Sequence, residues 1–249
     1  MESALTGLLN KKMKNTKNFM SSENKTMKFE SNEFHRLGLL HKTDKVLHHK
    51  YSKIYDFFLK SMYKNEGSIL EIGINQGKSL KLWLDLFPNA FVYGIDIGVN
   101  SEGENFRIFK KDQSKVKDLL DVQKELRDKK LFFINDDGSH LPEHQLLTFN
   151  TLFPLLEEGG VYIIEDIETS YWTKHDVYGY PTRYGYKHKK SVIELFKDVV
   201  DGINSEFSGE REYAVKHMNS IGSITFSQNC IIIVKEAQEQ RIYRYRHKL

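Results

Sequence analysis

From Ser68 to Ile164, apolar runs of strand length alternate with stripes of helical period, and this alternation restricts the fold more than any other feature of the chain. Strands are expected at 68–74, 91–97, 106–109, 131–135 and 161–164. Between them lie three helical segments. The first, 77–87, turns Leu80, Leu82, Trp83 and Leu84 inward and stops at Pro88. The second, 114–127, turns Val116, Leu119, Leu120 and Leu126 inward, and the third spans 141–156 before a Gly159-Gly160 turn. A further helix is expected at 191–203, then strands at 223–226 and 231–235 joined by a Ser227-Gln228-Asn229 hairpin turn. Five β/α units followed by a hairpin predict an α/β fold: a mostly parallel seven-stranded sheet with one reversed strand and helices on both faces.

The chain has 249 residues, enough for one large α/β domain, here expected over 34–249. Residues 1–33 are polar and rich in Lys, Asn and Ser, and read as a flexible basic arm. Residues 53–63 carry a helical stripe of Ile54, Phe57, Phe58 and Met62. A net charge of +3 is far below the excess of a dedicated nucleic-acid binder, so no nucleic-acid partner is expected. The first residues lack the apolar core of a signal peptide, and no apolar stretch nears the ~20 residues that cross a bilayer. A cytoplasmic location without a membrane partner is the expectation, and a homo-oligomer is compatible with it. The single cysteine, Cys230, sits in an apolar run and reads as a small buried hydrophobe.

Several strands end in acids. Asp136-Asp137-Gly138-Ser139-His140 follows one apolar run, and Glu165-Asp166 follows another. Such carboxylates converge at the carboxyl edge of a parallel sheet, where open α/β folds bind ligands. With a histidine beside them they suit a hard metal and a base. Neighbouring Glu165 and Asp166 would face opposite ways in a regular strand, so joint binding requires the chain to leave strand geometry there. Ser139 is placed to cap the helix that follows. The run from 166 to 186 is aromatic and aperiodic, as a lid or substrate loop is.

Three more strand ends suggest a nucleoside. Glu71-Ile72-Gly73-Ile74-Asn75-Gln76-Gly77 lacks the middle glycine that admits a pyrophosphate, so a ligand without phosphates fits better. Asp96 ends the second strand and offers two acceptor oxygens to a ribose. Lys111-Asp112-Gln113 follows the third, within reach of an adenine edge.

The Glu-x-Gly-x-x-x-Gly run with the acid at the end of strand two resembles Rossmann-like class I methyltransferases that bind S-adenosylmethionine. Three stretches resemble, more narrowly, the macrocin/mycinamicin sugar O-methyltransferase family: Thr43-Asp44-Lys45 with His49, Tyr51 and Tyr55; Asp136-Asp137-Gly138-Ser139-His140; and Glu165-Asp166 followed by Thr169-Ser170-Tyr171-Trp172. The likeness covers roughly 42–235. It departs at Lys42, where the family usually has glycine before the Thr-Asp-Lys triplet.

The resemblance implies a cofactor site of Thr43, Asp44, Lys45, Tyr51, Glu71, Gly73, Asn75, Gly77, Asp96, Asp112 and Gln113, with Asp136 touching the cofactor's amino-acid end or orienting a ligand. It further implies Mg²⁺ on Asp137, Glu165 and Asp166, and His140 as general base. The activity it implies is methyl transfer from S-adenosylmethionine to a sugar hydroxyl of a glycan or glycosylated small molecule. Tyr171 and Trp172 are either a sugar-stacking wall or loop packing. Two alternatives stay open: a catechol-like or other small diol as acceptor, and a non-catalytic binding module acting through its basic arm and the tail residues Arg241, Arg244, Arg246 and Lys248.

Overall fold

The computed structural model describes residues 32–173, 178–208 and 212–236. Residues 1–31 of the expected arm and the basic tail lie outside them, and Glu33, the last residue of that expected arm, opens the first helix. Helix α1 (Glu33–His41), α2 (Asp44–Leu47) and α3 (Ser52–Leu59) precede the sheet. The strands are β1 (Gly67–Ile72), β2 (Ala90–Asp96), β3 (Ser101–Glu102), β4 (Phe106–Lys110), β5 (Leu131–Asp136), β6 (Leu156–Glu165), β7 (Ile221–Ser227) and β8 (Cys230–Lys235). Among the described residues they form one eight-stranded sheet, ordered β3-β4-β2-β1-β5-β6-β8-β7. The five strands from β4 to β6 are parallel, and β8 runs antiparallel to both β6 and β7. The fold is the mostly parallel, hairpin-ended sheet expected from the alternation. The eighth strand, β3, is a two-residue exposed edge paired antiparallel to β4, too short and too polar to leave a pattern.

The helices α4 (Lys78–Leu86), α5 (Val116–Leu126) and α6 (Pro142–Leu152) fill the crossovers. One apolar layer joins α1, α3 and α4 to one face of the sheet through Phe34, Tyr55, Trp83 and Phe133. The other joins α5, α6 and α7 (Val192–Lys197) to the opposite face through Leu119, Phe149, Tyr162 and Phe196. Cys230 is buried, which pushes its thiol up to about 12.

Several local expectations need correction. From the cap residue Tyr51 along α3 the buried stripe is Tyr51, Tyr55 and Leu59, spaced four apart, while Phe57 is 79% exposed. The tyrosine hydroxyls reach buried acids, which an apolarity count does not register. On α5 the inward residues are Leu119, Val122 and Leu126, and Val116 and Leu120 lie on the exposed flank. Leu84 is only partly buried, and Leu86 takes the inner position on α4. Gly159, at φ 78°, belongs to a bulge at the start of β6, where pairing with β5 jumps from Leu156 to Val161. Ser139 does not cap α6: the helix begins at Pro142, the cap position is Leu141, and proline at the first turn sets that start. The helix expected at 191–203 is two, α7 and α8 (Val199–Ile203), the first capped by the Ser191 side chain.

Chain order reverses between β1 and β5, since β2 and β4 lie on one side and β6 on the other. In open α/β sheets the ligand crevice forms at the carboxyl ends of the strands at this switch point.

Candidate cofactor and metal site

The loops leaving β1 and β5 touch across the switch point. Asp137 N–H donates to the Ile72 carbonyl at 2.9 Å, and Gly73 N–H to Ile95 at 2.8 Å. Gly73 adopts φ 89°, and a Cβ there would lie 2.0 Å from the Asp137 carbonyl oxygen. Only glycine satisfies both the conformation and the approach. A cavity of about 560 Å³ lies above, a size typical of small-molecule sites. Gly73, Asn75, Asp96, Lys111, Asp112 and Gln113 line one part of it, and Asp137, His140, Asp166 and Tyr180 another. Asp44 and Lys42 also border it. Lys42 adopts φ 55°, the left-handed region in which a glycine would be unstrained.

Asp96 is committed to backbone donors. Its Oδ2 accepts from Ile74 and Asn75, and its Oδ1 from Gly98 and Val99. Burial raises its pKa, but these donors outweigh it and hold the carboxyl below its ordinary value. A ribose would have to share oxygens already used twice each. Asp112 Oδ1 takes the Ser114 hydroxyl and N–H, also ending below its ordinary pKa. Gln113 is a clamp: its amide donates to Asp136 Oδ1 at 2.7 Å and accepts from Ser139 N–H at 2.8 Å. Asp136 is fully buried behind it, away from the cavity lining, and burial pushes its carboxyl up to about 7. Gly77, at φ 70°, opens α4.

Beneath the site lies a buried polar network that includes four residues expected to touch the cofactor or metal. Lys45 is fully buried, its Nζ 2.5 Å from Asp137 Oδ2, 2.6 Å from Glu165 Oε1 and 3.7 Å from Glu71 Oε1. Burial alone would lower its pKa, yet these three carboxylates carry it well above the ordinary lysine value. Glu165 Oε1 also accepts from Tyr55 and from Asn135 Nδ2 at 2.8 Å. Glu71 Oε2 accepts from Ser79 at 2.8 Å. Burial pushes Glu71 up to about 7 and Glu165 upward too, against the pull of Lys45. Thr43 is buried beside Asp44, its hydroxyl donating to Asp44 Oδ1 at 3.2 Å. One ammonium facing three acids leaves surplus negative charge, so protons are retained here that a divalent cation would displace.

Asp137, His140 and Asp166 meet at the cavity, each offering one ligand atom, all within 4.8 Å of one another. Both carboxylates have their outer oxygen tied down. Lys45 holds Asp137 Oδ2. Asn229 Nδ2 at 2.9 Å, with the Tyr51 hydroxyl at 3.2 Å and His49 Nδ1 at 3.4 Å, surrounds Asp166 Oδ1. The inner oxygens then converge on His140 Nε2: Asp137 Oδ1 at 3.2 Å and Asp166 Oδ2 at 3.6 Å. The chain does leave strand geometry at Asp166, which takes φ 52° and ψ 51° after the last residue of β6. That turn brings Asp166 to the cavity while Glu165 stays below it. His140 also lies at positive φ, 57°. Burial works against its charge, but the Asp137 hydrogen bond and the nearby acids raise it to about 9. Burial alone would raise Asp137, but the charges and hydrogen bonds of Lys45 and His140 together draw it down to about 2.

The donor set suits a hard cation: two carboxylates fixed from behind, their inner oxygens turned toward His140 Nε2 beside an open cavity. Asn229 and Asn135 were not among the expected site residues, and Tyr180 was included only as part of the 166–186 lid or substrate loop. Asn229 was expected only to turn the hairpin. It also accepts from Glu168 N–H and Ile167 N–H, bracing the loop that carries Asp166. Trp172 packs against Tyr178 and Tyr180 at 5.7 Å, and Tyr171 is half exposed against Tyr186.

No family model matches the chain. It is 29% identical over 216 residues to 8-demethyl-8-alpha-L-rhamnosyl tetracenomycin-C 2'-O-methyltransferase of Streptomyces olivaceus, covering 81% of this chain and 54% of that one. It is 35% identical over 133 residues to demethylmacrocin O-methyltransferase of Streptomyces fradiae, covering 50% of this chain and 33% of that one. Among solved structures it resembles the MycE methyltransferase of the mycinamycin biosynthetic pathway in complex with Mg, SAH and mycinamycin VI. That match has a TM-score of 0.71 and 23% identity, covering 85% of this chain and 57% of the other. The chain thus spans about half the length, or less, of the curated relatives it matches. It has the Rossmann-like fold of methyltransferases, and the resemblance to macrocin and mycinamicin O-methyltransferases carried by its motifs is borne out. Among the described residues, no helix is long and apolar enough to cross a membrane.

Proposed function

We propose that this chain binds S-adenosylmethionine in the cavity and, with Mg²⁺, transfers its methyl group to a sugar hydroxyl of a glycan or glycosylated small molecule. The observation that carries the reading is one continuous cavity. It runs from the Gly73, Asn75, Asp96 and Gln113 loops to the Asp137, His140 and Asp166 cluster. The relatives named above support the sugar as acceptor. A bound sulfonium supplies an activated methyl, and a bound Mg²⁺ supplies a positive charge that lowers the pKa of an acceptor hydroxyl.

The chain's own residues would then divide the work. Asp137 and Asp166 hold the cation by their inner oxygens, and Lys45, Asn229 and Tyr51 keep those carboxylates in place. Glu165 joins the ligand set only where the Lys45 ammonium gives way, because both compete for Oε1. His140 takes the acceptor proton at Nε2. A cation on the adjacent acids removes the field that holds this imidazole charged, which returns it toward a base usable near neutrality. Gly73 lets the loops after β1 and β5 close on each other at the cavity, and Asp96 and Asp112 fix the loops against the nucleoside.

The test is transfer of labelled methyl from S-adenosylmethionine to a panel of glycosides and free deoxysugars, with catechols as the competing class, in Mg²⁺ and in EDTA. Label is expected in a sugar and only with Mg²⁺. Preferential labelling of catechols would replace the sugar by a small diol, and no labelling of any acceptor would count against catalysis.

A further inference from the structure

Three aromatic rings lead outward from the acidic end of the cavity. Tyr180 lines the cavity with its ring stacked on His140, 5.5 Å between centroids and 23° between planes. Trp172 lies 5.7 Å from Tyr180, and Tyr178 lies 5.7 Å from Trp172. Exposure rises along the series, from half-buried Tyr180 and Trp172 to Tyr178, which is 88% exposed. Tyr178 is also held at φ 51°, a conformation that is strained for a bulky side chain and that clusters at ligand clamps. Burial of the ring does not offset that strain. The neighbouring tyrosines are engaged within the chain. Tyr171 stacks on Tyr186, and Lys187 and Lys190 sit over Tyr186 and Tyr184 at 5.2 and 5.6 Å. We propose that Tyr178, with Trp172 beside it, is an outer sugar subsite of the acceptor site. The acceptor is then the end of an oligosaccharide, with its methylated sugar at the acidic cluster and a following sugar ring on Tyr178.

The chemistry of this surface selects the ligand. An aromatic face is negative and attracts the weakly positive C–H groups of a sugar ring, as it attracts the edge of another arene. The hydroxyls around that sugar ring need polar partners. From residue 178 to residue 190 the chain offers tyrosine, threonine, arginine, lysine and histidine, with no Val, Leu, Ile or Met. A wholly apolar aglycone would desolvate the polar groups among these rings without pairing them, which is costly. A cationic ligand would meet Arg183, Lys187, Lys189 and Lys190, all exposed. A chain of sugars satisfies both the ring faces and their polar rim.

The inference rests on the sugar reading of the site but has its own readout. The chain has two tryptophans, and Trp83 has no exposure, so the Trp172 indole alone reports on the subsite. The full chain carrying ¹⁵N-indole tryptophan is titrated in MgCl₂ with oligosaccharides that differ in sugar and linkage. Each is compared with the methyl glycoside and the p-nitrophenyl glycoside of its terminal sugar. An oligosaccharide should shift the Trp172 signal saturably and leave Trp83 in place. It should bind about threefold to tenfold more tightly than its methyl glycoside, the contribution of one aromatic contact. Tyr178→Asn should remove that margin without lowering Tm, because asparagine tolerates the positive φ. A Trp172 signal unmoved by every oligosaccharide, or an equal margin in Tyr178→Asn, would overturn the subsite. So would a p-nitrophenyl glycoside that binds as tightly as the best oligosaccharide. Transfer of labelled methyl separates the two readings. An oligosaccharide that binds through Tyr178 and is never methylated would sink the methyltransferase reading and leave the subsite standing.

Discussion

Lys45→Met is expected to lower Tm by roughly 6–20 °C, the largest stability loss of any single substitution at the site. Methionine fills similar volume, so the effect isolates the charge. The ammonium stands within 4 Å of Asp137, Glu165 and Glu71, and its side chain has no solvent exposure. Removing one partner of a buried ion cluster typically costs about 3–5 kcal/mol, because the charges left behind have neither partner nor water. For a domain of this size each kcal/mol moves Tm by about 2–4 °C. The sign of the pH dependence follows from the acids. Without Lys45 the folded-state pKa values of Glu71 and Glu165 rise further above their unfolded values and Asp137 loses the pull that holds it below its own, so the charged forms of all three are penalised as pH rises. The deficit of Lys45→Met should therefore be greatest at alkaline pH and shrink as the carboxylates take up protons on acidification. Thermal scans across pH read this directly. A loss that is small, or that does not change with pH, would mean that the lysine is not the countercharge of this cluster.

The second large effect concerns turnover. His140→Asn should reduce methyl transfer by about 10²–10⁴-fold, the usual contribution of a positioned general base. Asparagine is the informative replacement because His140 sits at φ 57°, a conformation that asparagine tolerates better than alanine. Cofactor binding should survive, since the loops at Gly73, Asp96 and Gln113 do not depend on the imidazole. A variant with full turnover would remove His140 from the chemistry. A variant that loses both turnover and S-adenosylhomocysteine binding would make it a structural residue.

Much of this was legible in the chain because the information was local. The apolar runs at 131–135 and 161–164 read as buried parallel strands, which places the acids closing them at one sheet edge. The strand ends placed Asp136, Asp137, His140, Glu165 and Asp166 at that edge, and the family resemblance singled out Asp137, Glu165, Asp166 and His140 among them. What escaped was decided by tertiary contacts. Lys45 stands in the Thr43-Asp44-Lys45 stretch whose resemblance implies a cofactor contact, and nothing local shows that its ammonium is instead fully buried among acids. Its three acids lie 26, 92 and 120 residues away, at Glu71, Asp137 and Glu165. Tyr55 looks like one more aromatic until its hydroxyl is seen on Glu165, and Asn229 like one more turn residue until its amide is seen on Asp166. The departure from strand geometry between Glu165 and Asp166 was required by the idea of joint metal binding. The structure makes that departure in a way that separates the two side chains instead of pairing them.

The central claim is that the cavity at the switch point is a site for S-adenosylmethionine beside a cation site. Calorimetric titration of S-adenosylhomocysteine into the full chain, in Mg²⁺ and again in EDTA, tests it most directly. The account predicts saturable one-to-one binding with a micromolar Kd in Mg²⁺. It also predicts binding that persists in EDTA, because the nucleoside loops are built without the cation. No heat of binding in either condition would contradict it, and would leave an α/β binding module with an acidic pocket in place of a methyltransferase.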